Sequence, residues 1–277
     1  MTGMNWTDTL AELIRRTTSD LPADVEAALR ASQGAEAPGS QADLLLGALV
    51  ENTCLARRQS TPLCQDTGTL TFFWSVPRGT DTHALEQAAR DAVKTATAKG
   101  WLRRNTIEAL SGRSVDTNVA EGFPACHFEQ QEDGDRRSEV RGQSSESDSP
   151  ASDHRPPVFE VWLAQKGGGS ENMSCQFSLP DEALGAGRDL AGVRACLLQA
   201  AWQAQGFGCA PGILGVCIGA DRAEGFLVAK RQLLRPLTDQ SPVPALAELE
   251  QRVLAEANQL GVDRKSTRLN SSHDQIS

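Results

Sequence analysis

The sequence predicts an α+β fold, mixed and rich in helix. Three features lead there. Several stretches repeat their apolar residues at the helical period of 3.6. The period-two or unbroken apolar runs that suit strands are few and short, and each lies between helical patterns. Gly- and Pro-rich loops punctuate the boundaries, so the order reads helices, strand, helix, strand, helix, strand, helix. At 277 residues the chain is long enough to bury a substantial core.

Taken in order, "WTDTLAELIRRTTSDL" carries Leu10, Leu13 and Ile14 on one helical face. "PADVEAALRAS" starts on Pro22, which suits a first helical turn. "ADLLLGALVENTCLARR" is expected to pack Leu44, Leu45, Ala48 and Leu55 on its apolar side, with Cys54 in the core. After a loop, "LTFFWSV" reads as a strand. "THALEQAARDAVKTATAKG" is a helix through Leu85, Ala88, Ala89, Ala92, Val93 and Ala96, closed by Gly100. The polar stretches "WLRRNTIEAL" and "SGRSVDTN" are loops, and His127 in "PACHFEQ" flanks a strand as a structural residue.

Residues Gln131 to Arg155 contain a single valine among charges and serines, a composition that cannot bury a core; a disordered surface insertion is expected there. "PPVFEVWLAQ" returns to period two as a strand. "RDLAGVRACLLQAAWQAQG" is the clearest helix, capped by Asp189, with Cys196 on its packing face. "ILGVCIG" reads as a short buried strand, Pro236 to Pro244 as a loop, and "ALAELEQRVLAEANQLG" as a last helix.

Bulk properties narrow the function classes. A formal net charge of -9 argues against a nucleic-acid partner. No run of ~18 apolar residues suggests a membrane span, and "MTGMNWTDTLAELIRR" does not read as a secretory signal, so a cytoplasmic location is expected. The seven cysteines contain no CxxC pair and are expected as thiols. Any metal they hold must gather them from separate loops.

Four groups could carry chemistry. Cys64 and Cys209 sit in Gly/Pro-punctuated loops ahead of apolar runs, where a thiolate can be fixed yet uncovered. "KGGGSEN", Lys166 to Asn172, follows a strand; its glycines either bend flexibly or turn their N–H groups toward an anion. It is not a Walker loop, because the lysine precedes the glycines. Arg103 and Arg104 in "LRRN" either grip a carboxylate or sit solvated.

Together "PLCQDTGT", "KGGGSEN", "GCAPG" with "GVCIG" and "EANQLG" resemble the iron–sulfur hydro-lyases, that is class I fumarate hydratase and the L-tartrate dehydratase α chain. The resemblance covers most of Trp6 to Val262, and "SLPDEALGAGRDLAGVRACLLQAAWQAQGFGC" lies closer to the fumarase side. It implies an N-terminal hydro-lyase domain over residues 1–262 and a 4Fe-4S cluster held by three cysteines with one iron open. Cys64 and Cys209 match two of the ligands. Gln65 and Asp66 match substrate-reaching residues, Asp66 in proton transfer. Arg103, or Arg104 one place on, matches a carboxylate-binding arginine, and the backbone of Gly168 and Gly169 approaches substrate. It further implies a small dicarboxylate substrate (fumarate or malate, alternatively tartrate or another 2-hydroxy diacid), a C-terminal domain or β subunit as partner, and a homo-oligomer when complete.

The pattern breaks at the end. The family's third cysteine ligand follows a glycine-rich segment downstream of "NQLG", whereas here no cysteine follows Cys217. "DRKSTRLNSSHDQIS", residues 263–277, can be back-translated to a common sequencing adapter, so a non-native tail is expected there, on a fragment inactive alone. A non-catalytic iron–sulfur or metal-binding module, or a carboxylate-binding domain without metal, are the readings from other classes.

Overall fold

The computed structural model describes residues 5–131, 158–204, 207 and 212–260. They divide into two units, one from residues 1–18 and 60–165, the other from 19–59 and 166–277. The architecture is mixed helix and strand, as α+β predicts.

The first unit is built on β1 (Thr69–Pro77). Leu70 to Trp74 are all buried, on both faces of β1, the middle strand of a three-stranded sheet. Its neighbours are β2 (Ala125–Gln131) and β3 (Glu160–Lys166). β1 and β2 run parallel, with Thr71 opposite Ala125 and Pro77 opposite Gln131. Gln131, placed by its composition at the start of the insertion, instead ends β2; the rest of that segment lies outside the described residues.

Two helices close the core around β1. α1 (Trp6–Ser19) contributes Leu10 and Ile14, and α4 (Thr82–Ala98) contributes Leu85, Ala89, Ala92, Val93 and Ala96, the stripes read from the period. Asp81 caps α4 by accepting the Ala84 N–H at 3.0 Å. At its other end the Gly100 N–H donates to Thr97 O at 3.1 Å and the Trp101 N–H to Ala96 O at 3.0 Å. This six-to-one and five-to-two pairing needs a left-handed residue, and Gly100 supplies it at φ 75°.

In the second unit α2 (Ala23–Ala35) packs on α3 (Gln41–Gln59) through Leu29, Leu46 and Val50. Here the expected face of α3 is wrong. Leu44, Leu45 and Leu55 are exposed, at 66%, 53% and 37%, and Cys54 is only half-buried. The helix is apolar on both sides, so its pattern did not single out the side that packs. α5 (Gly168–Asn172) is one turn. α6 (Leu190–Ala204) is capped as expected, with the Gly192 N–H donating to Asp189 Oδ1 at 2.7 Å, and Cys196 is buried in it.

Residues 212–218 form no strand, contrary to the apolar reading. They lie against α7 (Arg222–Gln232), a helix with no buried residues and so no stripe to announce it. The approach is close: a Cβ on Gly215 would sit 2.1 Å from Ala229 O. α8 (Pro244–Ala257) is the last described helix, with Arg194 of α6 paired to Glu256. No described helix is long and apolar enough to cross a membrane.

Candidate active site

The loop Thr61–Gly68 leads into β1, and the Leu63 N–H donates to Thr18 O at 2.9 Å, tying the loop to the end of α1. Cys64, Gln65 and Asp66 are exposed on it, while Thr67 and Leu70 bury themselves just beyond. The loop is therefore anchored on both sides of three accessible side chains. Asp66 Oδ1 accepts from the Gly68 N–H at 2.9 Å, the turn that an aspartate two residues before a glycine favours. Gly68 takes φ 73°, which a side chain would strain.

A second bond reaches across from the loop after α4. Asn105 Nδ2 donates to the same Asp66 Oδ1 at 3.1 Å, while Asn105 Oδ1 faces Thr67 Oγ1 at 3.4 Å. One amide thus fixes both the carboxylate and the residue behind it. Arg103 and Arg104 stand two residues and one residue before Asn105, so the structure brings the arginine loop to the Cys64–Asp66 loop. Arg104 Nη1 lies 3.8 Å from Asp116 Oδ1. Arg103 is exposed with no side-chain partner among the described residues.

The arginine loop is held in turn by Asn118, only 5% exposed and left-handed at φ 56°. Its Nδ2 donates to Arg103 O at 2.7 Å and to Thr97 Oγ1 at 3.1 Å. Its Oδ1 accepts from the Thr106 N–H at 3.2 Å. One side chain therefore links α4 to the backbone on both sides of Asn105.

Neither asparagine stands out in the sequence: in "LRRN" the charges are the signal, and "SGRSVDTN" reads as a polar loop. The available signal was weak: asparagine tolerates the left-handed region better than most residues.

In the second unit "KGGGSEN" is a helical turn with Gly167 at its N-cap and Gly168 and Gly169 exposed. A Cβ on Gly169 would meet Phe207 O at 3.7 Å, an ordinary contact. Lys166, whose side chain is 8% exposed, lies 2.8 Å from Glu171 Oε2 and donates to Ser174 Oγ at 2.6 Å. Lys230 of α7 donates to Glu171 Oε1. Oε2 takes no well-aligned donor, so the Lys166 contact is an ion pair rather than a hydrogen bond. Burial pushes the Lys166 ammonium below its usual range, against the pull of Glu171. Burial opposes ionisation of Glu171, but the two lysines outweigh it and hold its carboxyl below the ordinary value.

The cysteines divide by environment. Burial pushes the Cys126 thiol up to about 11 and raises Cys196 as well, so both stay protonated packing residues. Cys64 is exposed on an anchored loop, a sulfur donor of the kind an iron–sulfur cluster takes, and it fits as one ligand. Cys209, the second expected ligand, lies outside the described residues, as do most of residues 131–155 and all of 263–277. Among the described residues no three His, Cys, Asp or Glu side chains gather as a metal site.

An exposed thiol, a fixed carboxylate and an open arginine on neighbouring loops are the groups a lyase acting on a carboxylate would use. The chain belongs to the fumarate hydratase (Fumerase) family, hydro-lyases by their activity, and matches it over residues 7–264. It is 37% identical over 258 residues to a Geobacillus stearothermophilus protein that carries the name of a class I fumarate hydratase, covering 92% of this chain but 46% of that protein. The chain thus spans about half the length of that relative. It is 28% identical over 263 residues to a Methanocaldococcus jannaschii protein carrying the name of an L(+)-tartrate dehydratase subunit alpha, covering 94% of this chain and 82% of that one. The L(+)-tartrate dehydratase subunit alpha of Escherichia coli strain K12 is 25% identical over 267 residues. The resemblance read from CQDTG and KGGGSEN is borne out.

Proposed function

We propose that this chain forms part of a hydro-lyase that reversibly adds water to fumarate to give (S)-malate. The observation that carries the reading is Asp66, its carboxylate held by the Gly68 N–H and the Asn105 amide, two residues from an exposed cysteine. The greater identity to the fumarate hydratase relative supports fumarate as substrate.

Cys64 and Cys209 are assigned as cluster ligands; a 4Fe-4S cluster would supply a Lewis acid for the hydroxyl and one carboxylate. Asp66 gives or takes the proton at the adjacent carbon. Because two donors fix Oδ1, the carboxylate is oriented before substrate arrives, and little reorganisation is left for the reaction step. Arg103 pairs with a substrate carboxylate, where a guanidinium can bond in a bidentate fashion. Gln65 orients the diacid, and the Gly168 and Gly169 N–H groups supply further donors to it.

One observation favours a second reading, the α chain of an L-tartrate dehydratase: the alignment covers 82% of one such subunit. In that case the partner is a β subunit. The test is anaerobic: the protein, together with the portion its longer relatives add, is reconstituted with iron and sulfide and given (S)-malate, fumarate and tartrate. Turnover of malate and fumarate, lost in Cys64→Ser, supports the first reading. Turnover of tartrate alone supports the second. No turnover with any diacid sinks both and leaves the non-catalytic metal-binding module.

A further inference from the structure

The glycine turn poses a physical problem. Glycine loses more backbone freedom on ordering than any other residue, so three in a row will not hold one conformation unaided. Around Gly167–Gly169 the chain supplies an external frame. Lys166 stands immediately before the glycines and Glu171 two residues after them, and their side chains meet at 2.8 Å, closing a ring around the turn. Within the ring the Glu171 N–H donates to Gly167 O at 2.8 Å. A second closure runs from Lys166 Nζ to Ser174 Oγ at 2.6 Å. The far oxygen of Glu171 is taken by Lys230 on α7, a helix that Asp221 caps by accepting the Ala223 and Glu224 N–H groups.

We propose that Lys166, Glu171 and Lys230 are positioning residues that set the backbone of the Gly167–Gly169 turn for its contact with a substrate carboxylate. The ligand in this statement rests on the hydro-lyase reading; the positioning does not. Two considerations separate positioning from plain stabilisation. A half-buried ion cluster gives little net stability, because the desolvation of its charges offsets their attraction. What such a cluster does supply is a fixed geometry, here at the one place where the backbone has least of its own. Two ammonium groups share one carboxylate, so the frame carries one net positive charge behind the turn, the sign a dianionic substrate calls for. The arrangement also accounts for the charged residues of KGGGSEN: the lysine and the glutamate hold the glycines between them.

The experiment is residue-resolved amide exchange by NMR on the 277-residue chain, with no substrate present. The reporters are the Met173 and Ser174 amides, bonded to Ser170 O at 3.2 Å and Glu171 O at 3.2 Å. Glu171→Gln and Lys230→Met are each expected to speed their exchange about tenfold or more, and that of the α6 and α8 amides by a factor at least several-fold smaller. Lys230→Arg, which keeps the charge, is expected to restore protection. Unchanged exchange at Met173 and Ser174 overturns the proposal. So does an equal loss across α6 and α8, which describes a merely structural contact. Should Glu171→Gln fail to fold, the Lys230 pair decides, since that side chain is partly exposed on α7. Exchange is read without turnover, so this inference and the hydro-lyase reading fail separately.

Discussion

Asn118 does more than its place in a polar loop suggests. It is buried, left-handed, and spends three hydrogen bonds joining α4 to the backbone around Arg103 and Thr106. Substitution by alanine leaves the Thr106 N–H and Arg103 carbonyl without their partner and keeps a strained φ. The expected cost is roughly 1–3 kcal/mol in a urea melt, from part-buried groups left unsatisfied. Glycine at the same position relieves the backbone but restores no bond, so Asn118→Gly should recover only a minor part of the loss. Full recovery would mean that backbone strain, not the side-chain bonds, dominates. The consequence reaches the candidate site through Asn105, because the loop that Asn118 holds carries the amide that bonds Asp66.

At the scale of elements, α4 shows how a helix end serves a site. Its last turn closes on Gly100 at φ 75°, and the chain leaves directly into Arg103 and Asn105. Gly100→Ala meets no steric block, since nothing lies within 4 Å of the added Cβ. Only the left-handed conformation resists it, at about 1 kcal/mol. A thermal or urea measurement showing no loss would count against the closing motif. That glycine was legible beforehand because the apolar stripe stops beside it. So were α1, α4 and α6, each with one apolar face, and β1, whose unbroken apolar run reflects burial on both sides. The packing side of α3 was not legible, because Leu44, Leu45 and Leu55 are as apolar as Leu46 and Val50. The segment 212–218 failed for another reason: apolar residues announce burial, not its partner, and here Gly215 lets the chain lie on a helix instead of a strand. The site divides likewise. Cys64, Asp66 and Arg103 stand out as candidates by residue type and motif. Asn105, Asn118 and the pairing of Lys166 with Glu171 do not, because their roles arise only when separate loops meet.

For the molecule as a whole, pH tests how the charges are arranged. Several carboxyls ionise more readily in the folded chain than outside it. Hydrogen bonds from Arg15 and Arg16 hold Glu12 down at about 2 against an ordinary 4.5. Lys94 lowers Asp91, Arg235 lowers Asp239, and Arg194 lowers Glu256. Between those lowered values and the ordinary range the unfolded chain binds more protons than the folded one. Stability is therefore complete above about pH 5 and falls as acid is added through the window down to about 2. The partly exposed pairs screen with salt, so their share of this loss is salt-sensitive. Glu171 differs in its partner: the Lys166 side chain beside it is only 8% exposed, so salt reaches that pair less. Urea midpoints at pH 7, 4 and 3 should therefore decline steadily at low salt. The decline should shrink, but not vanish, at about 1 M salt. Glu171→Gln should remove most of the salt-resistant part, whereas Glu12→Gln should remove only salt-sensitive loss. A midpoint that stays level from pH 7 to 3 would mean that the paired carboxylates contribute nothing to the folded state. An acid loss that salt abolishes entirely would mean that the lysine–glutamate frame is as solvated as the surface pairs.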